Sequence, residues 1–241
     1  MAGFTELTWT REMVTRFWDF VRTQPEEYFS FQVGAVIVRK FKKYFPPNAA
    51  IVDYGAGVGF LLEDILATGN RCSAVEFGSE SVAELNRRFQ NHPSFMGARP
   101  HDSLEEWREK FDGAYLIEVV EHLYDSELAS ALSSVRGLLK PGGILVVTTP
   151  NNEDRSKRMI CSPESGQIFH RYQHVRSWAA ASLSSRLESH GFTCIETGTT
   201  DFGASSLAMR RTMSLAHRIA RSIAMHFKRN RPHLYAVAKR K

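Results

Sequence analysis

The sequence has only three cysteines in 241 residues, Cys72, Cys161 and Cys194, and they stand far apart. That excludes a disulfide framework and the paired-cysteine spacing of a zinc ribbon, and it suits a reducing compartment, so a cytoplasmic location is expected. No apolar run approaches the roughly 20 residues that a membrane-crossing helix needs. The first residues mix acids, aromatics and bases without a continuous apolar stretch, so no signal peptide is expected. Repeats and low-complexity tracts are absent too, which argues against a solenoid or a disordered linker protein. An excess of one charge is nearly absent: the net charge is +5, and its basic part is concentrated near the C-terminal end. What remains is 43% hydrophobic residues, enough for a packed core, on a length that suits one α/β domain with additions.

The most informative stretch is Ile51-Val52-Asp53-Tyr54-Gly55-Ala56-Gly57-Val58-Gly59-Phe60, followed by the helical pattern Leu61-Leu62-Glu63-Asp64-Ile65-Leu66. A short β-branched run ends in an acid, then a glycine-rich turn, then a helix start. Such glycines let the backbone turn sharply and approach a ligand closely, and the helix N-terminus aims N–H groups at it. Glu76 follows 21 residues after Gly55, at the end of a second apolar run that closes on Phe77. An acid there suits the two hydroxyls of a ribose. The spacing is G-x-G-x-G rather than the dinucleotide G-x-G-x-x-G, and Asp53 would repel a pyrophosphate. It suits instead the ammonium of an amino-acid moiety.

The stretch resembles the first motif of the class I S-adenosylmethionine (SAM)-dependent methyltransferases. Three further stretches extend the resemblance: His101-Asp102-Ser103, Phe111-Asp112-Gly113-Ala114-Tyr115-Leu116-Ile117-Glu118, and the run from Leu138 through Pro141-Gly142-Gly143 to Asn151. It implies SAM as cofactor, with Asp53, Gly55, Ala56, Gly57, Gly59, Glu76, Phe77, Asp102, Ser103 and Glu118 around it. For Asp102 the competing expectation is a helix N-cap for residues 103–107.

The periodicities predict strands at 51–54, 72–77, 95–98, 111–117, 144–149, 193–199 and 234–238. Helices are predicted at 61–68, 79–90, 126–139 and 178–190. This alternation implies a parallel, doubly wound sheet. The resemblance completes it as a seven-stranded Rossmann-like methyltransferase sheet with an antiparallel terminal hairpin. Residues 9–22 and 28–45 carry aromatics at helical spacing, and Pro46-Pro47 ends them. Residues 1–47 are therefore expected to form a helical N-terminal cap, with the SAM-binding domain at 48–241.

The candidate chemistry lies in Glu118-Val119-Val120-Glu121-His122. If the chain turns helical here, positions i, i+3 and i+4 share a face, and two carboxylates with an imidazole can hold a divalent cation. The stretch resembles the metal-dependent O-methyltransferases of ubiquinone biosynthesis and the RNA 3′-terminal 2′-O-methyltransferases. The resemblance implies a metal set of Glu118, Glu121, His122 and His174, for Mg²⁺, Mn²⁺ or Zn²⁺. His170 competes with His174 within Phe169-His170-Arg171-Tyr172-Gln173-His174. Without a metal, His122, His170 or His174 is the expected proton acceptor.

An insert at about 205–231 is predicted to be an amphipathic basic helix, with Arg218 and Arg221 among its cations and apolar residues every fourth position. It is expected to pack on the core or to meet an anionic membrane surface. The expected activity is O-methylation of a small molecule, lipid precursor or sugar hydroxyl. The alternatives are RNA 2′-O-methylation, with nucleic acid the less favoured partner, small-molecule N-methylation, and a catalytically silent SAM-fold binding protein.

Overall fold

The computed structural model describes residues 4–203 and 231–241. The basic segment at 209–231 therefore lies outside the described residues except for Arg231.

The first two helices are α1 (Arg11–Val21) and α2 (Phe29–Phe41). Thr10 caps α1 by accepting from the Met13 N–H, yet α1 buries no residue. In α2, Val33, Ile37, Val38 and Phe41 recur at three- and four-residue spacing and are buried, with α3 (Phe60–Leu66) among the neighbours. Between these helices β1 (Ala50–Tyr54) is buried at all five positions, as a strand covered on both faces must be. The alternation continues through β2 (Arg71–Glu76), α4 (Ser79–Phe89), β3 (Phe95–Pro100), β4 (Phe111–Ile117), α5 (Asp125–Leu138) and β5 (Leu139–Pro150). Then come two short strands, β6 (Met159–Cys161) and β7 (Ile168–His170), followed by α6 (Ala180–Ser189), β8 (Phe192–Thr200) and β9 (His233–Arg240).

Seven strands form one sheet in the order β3-β2-β1-β4-β5-β9-β8. The first five are parallel, while β9 runs antiparallel to both β5 and β8. This is the expected doubly wound sheet with its antiparallel terminal hairpin. One core forms between the sheet and α5 with α6, the other between the sheet and α2, α3 and α4. The order reverses at β1, so the ends of β1 and β4 open a crevice beyond the C-terminal edge, where such sheets bind ligands.

Three local expectations are corrected. β5 begins at Leu139, pairing with Phe111, and a register shift absorbs the Pro141–Gly143 stretch inside the strand. The chain does not turn α-helical after β4. Glu118 has φ +52, its N–H bonds to Thr148 O, and a single turn closed by His122 N–H to Val119 O follows before α5 starts. The helical turn after β3 starts only at Glu105 with Leu104 as its N-cap residue and no side-chain cap, so Asp102 does not cap it. The β6–β7 hairpin was not foreseen at all. Its strands are three residues long, too short for alternation to register.

Candidate functional site

The glycine turn joins β1 to α3, and Gly55, Gly57 and Gly59 all have positive φ. Gly57 φ is +57, and a Cβ there would stand 2.7 Å from Cε1 of Tyr28. Only glycine lets this backbone lie beneath the tyrosine ring. Glu76, at the end of β2, accepts from the Gly57 N–H at 2.5 Å and from the Phe77 N–H at 3.0 Å. Burial raises its carboxyl against the pull of those two donors. Asp53 is 2% exposed, and its Oδ2 has no hydrogen-bond partner in the structure. Burial pushes its carboxyl up to about 8, with the charge of Glu76 adding to the effect. Phe77 lies against Tyr54 at 6.0 Å and His101 at 4.8 Å, and it is partly exposed beside Asp102 and Ser103, which are also exposed.

A second group of side chains stands where β4 and β5 end. Thr148 Oγ1 donates to Glu118 Oε1 at 2.8 Å, and Thr149 Oγ1 donates to Glu121 Oε2 at 3.1 Å. Glu121 is 1% exposed, with Oε1 unpartnered. Burial raises Glu118 to about 7, against the bonds from Thr148 and Glu121, and it raises Glu121 well above the usual carboxylate range with help from the Glu118 charge. Glu121, His122 and His174 each offer one ligand atom within 4.8 Å of the others. Burial, with His174 beside it, keeps His122 well below the usual imidazole range, so its ring is neutral. Among the described residues Glu118 belongs to no such ligand group, because its carboxylate turns to Thr148.

The β6–β7 hairpin returns the chain so that His170 and His174 stack at 4.3 Å, and His122 stands edge-on to His174 at 4.9 Å. The sequence favours His174 over His170 as the second imidazole, and the structure brings both in. It also brings in Glu153, which contacts both rings and was missed. Glu153 follows β5 in a polar stretch, Asn151-Asn152-Glu153-Asp154, where nothing in the spacing singles it out.

The outer wall comes from the N-terminal region. Trp18 Nε1 donates to Gln173 Oε1 at 3.2 Å, and its ring meets His122 edge-on at 4.9 Å. Tyr28 covers the glycine turn, and burial, with the charge of Glu76, pushes its hydroxyl up to about 12. The segment before α1 pairs with β7: Ile168 N–H donates to Thr5 O and Leu7 N–H to Ile168 O. Tyr28 thus lies over the glycine turn after β1, and Trp18 lies against His122 after β4.

This fold, with its glycine turn and acids, is that of the SAM-dependent methyltransferases. The chain belongs to the methyltransferase domain family, whose model matches residues 28–197. It is 31% identical over 157 residues to the human mitochondrial ubiquinone biosynthesis O-methyltransferase, covering 59% of this chain and 41% of that protein. It is 29% identical over 136 residues to the ubiquinone biosynthesis O-methyltransferase of Dinoroseobacter shibae, covering 55% and 54%. The chain thus spans about half the length of these curated relatives. Its fold matches the 1,6-didemethyltoxoflavin-N1-methyltransferase of Burkholderia thailandensis, solved with S-adenosylhomocysteine (SAH), at a TM-score of 0.62 and 18% identity over 99% of this chain and 93% of that one. The cyclase SpnF matches at 0.65 and 16% over 99% of both chains. One of these is named for N-methylation and the other for cyclisation, so the likeness carries the fold and leaves the acceptor open. Among the described residues no helix is long and apolar enough to cross a membrane.

Proposed function

We propose that the enzyme transfers the methyl group of SAM to a hydroxyl oxygen of a small molecule, lipid precursor or sugar. The observation that carries this reading is the Glu121–His122–His174 group at the ends of β4 and β5, in which Glu121 and His174 are buried and His122 is half-buried. A neutral amine attacks a sulfonium with its own lone pair, whereas a hydroxyl must lose its proton or have its pKa lowered. The imidazoles of His122 and His174 beside an unpartnered carboxyl oxygen suit the second task. The names of the ubiquinone O-methyltransferases point the same way.

SAM supplies the methyl as a sulfonium and leaves as a thioether. The residues present fit it: Asp53 holds a buried unpartnered oxygen for the ammonium side, and an added Cβ at Gly55 or Gly57 would press on Val119 or Tyr28 over the turn. Glu76 releases the Gly57 and Phe77 N–H groups to accept from ribose hydroxyls. Phe77, Asp102 and Ser103 lie on the adenine side. Trp18 and Tyr28 cover the crevice and exclude water, and alignment of the reactants there contributes roughly 7–11 kcal/mol.

Glu121, His122 and His174 also fit a divalent cation, since Glu121 Oε1 is a buried oxygen without a partner and the three ligand atoms converge. Mg²⁺, Mn²⁺ or Zn²⁺ there would lower the pKa of the acceptor hydroxyl.

The test is SAH release with phenolic, sugar and amine acceptors, with and without EDTA. Hydroxyl acceptors should turn over, and Glu121→Ala should lose about 10²-fold or more in kcat while SAH affinity stays. Loss in chelator with recovery on adding a divalent ion assigns the cation, and full activity in chelator assigns the imidazoles alone. Turnover of amines only, indifferent to Glu121→Ala, would overturn the hydroxyl reading.

A further inference from the structure

Two donor groups share His174: Glu121–His122–His174 and Glu153–His170–His174. Both have the composition of a metal site, but hydrogen-bond direction separates them. His170 Nδ1 lies 3.3 Å from the backbone N of Tyr172 and 3.2 Å from the backbone N of His174. Backbone N–H groups only donate, so Nδ1 is the unprotonated nitrogen of this ring. The ring proton is then on Nε2, which lies 3.4 Å from Glu153 Oε1. A nitrogen that carries a proton cannot ligate, so His170 is a poor metal ligand; its Nε2–H is buried at ion-pair distance from Glu153 Oε1 without a hydrogen bond. The other oxygen, Glu153 Oε2, lies 2.5 Å from His174 Nδ1. A carboxylate only accepts, so that Nδ1 carries a proton, and in the neutral ring the lone pair of His174 is on Nε2.

We propose that Glu153 is a positioning residue: with the Nε2–H of His170 fixed near its other oxygen, it holds His174 in the Nδ1–H tautomer and leaves the Nε2 lone pair for the reaction. The use of that lone pair, as proton acceptor or as cation ligand, rests on the hydroxyl-methylation reading. The tautomer does not. Carboxylates behind a ligating or basic imidazole have this effect elsewhere, and an amide in their place selects the wrong tautomer.

Glu153→Gln makes the inference testable. A glutamine offers one acceptor and one donor group in place of two acceptors. His170 cannot change tautomer without turning its own N–H against two backbone N–H groups, so it takes the amide oxygen. The amide NH₂ then faces His174 Nδ1, which must give up its proton, and the proton moves to Nε2. In His170→Asn the side-chain oxygen can still accept from Tyr172 and His174, but the residue no longer reaches Glu153. In the double variant Glu153→Gln/His170→Asn the amide is free to turn round and offer its oxygen to His174.

The experiment is long-range ¹H–¹⁵N correlation of histidine-labelled protein with SAH bound, together with kcat and SAH affinity. Wild type should show His174 protonated on Nδ1. Glu153→Gln should show the proton on Nε2, with kcat lower by about 10²–10⁴-fold and SAH binding unchanged. The double variant should regain the wild-type tautomer and at least about tenfold in kcat, a rescue that a merely structural role for Glu153 does not produce. His174 protonated on Nε2 in wild type, an unchanged tautomer in Glu153→Gln, or no recovery in a double variant that binds SAH would each overturn the proposal. The Nδ1–H tautomer in a protein that methylates no hydroxyl would support the positioning role and overturn the hydroxyl reading alone.

Discussion

Asp53 is the residue whose environment is least comfortable without a ligand. It is 2% exposed, and its carboxyl is pushed up to about 8 by burial and then by Glu76. An unfolded Asp titrates near ~3.9, so between about pH 4 and pH 8 the folded chain keeps a proton that the unfolded chain has lost. The folded pKa is the raised one. The stabilising contribution is therefore complete below about pH 4 and is lost as pH rises through about 8. Asp53→Asn imitates the protonated acid and does not titrate. Its stability should lie close to wild type near pH 4 and pull ahead as pH rises, by on the order of 2–5 kcal/mol at pH 8, read as a higher melting temperature. The same variant should lose SAH affinity if Asp53 faces the ammonium, because an amide cannot ionise on ligand binding as the carboxyl can. Melting curves across pH 4–8 with calorimetry check both, and a pH-independent offset would mean that Asp53 is ionised throughout. Asp53, Gly57 and Glu76 were legible in the sequence because they belong to one strand–turn–helix unit and to the end of the next strand. Glu153 was not, because its partners arrive only when a hairpin folds back to bring His170 and His174 against it.

At the scale of elements, α1 carries a readable helical pattern, Met13, Val14, Phe17, Trp18 and Val21, yet none of these residues is buried. Its apolar stripe faces the polar crevice rather than a core: Trp18 meets Gln173 and His122, and Arg22 reaches Glu80 at 3.2 Å. A helix with so little buried surface opens at low free energy. Its amides should exchange far faster than those of β4 and β5. If α1 covers the cofactor, saturating SAH should slow them by about tenfold or more, each tenfold being about 1.4 kcal/mol of opening free energy. Equal rates with and without SAH would make α1 a bystander. The stretch from Glu118 to His122 shows the opposite failure of pattern reading. Its spacing fits a helix face, but Glu118 still bonds to Thr148 of β5 and then adopts φ +52, and the two carboxylates accept from Thr148 and Thr149 at the end of β5. Sequence spacing carries no information on that backbone bond.

For the whole molecule, the sheet order was legible because strand–helix alternation leaves few right-handed, unknotted arrangements. That order also gathers charge. Asp53, Glu76, Glu118 and Glu121 all sit at the C-terminal edge, and burial raises every one of their carboxyls. Desolvation there burdens the ligand-free fold, and a ligand bearing an ammonium and ribose hydroxyls relieves it. SAH at about 100 times its Kd should add about 2.7 kcal/mol to stability. At about 2–4 °C per kcal/mol for a chain of this size, the melting temperature should rise by about 5–10 °C. NAD should give no such rise, since Asp53 opposes a pyrophosphate. Gly57→Val should melt below wild type, because φ +57 strains a β-branched residue and its Cβ would press on Tyr28. The SAH shift should vanish in that variant, since the side chain fills the space over the turn. A Gly57→Val protein that folds and keeps the full SAH shift would place the cofactor away from the glycine turn and remove the basis for every role assigned to Asp53 and Glu76.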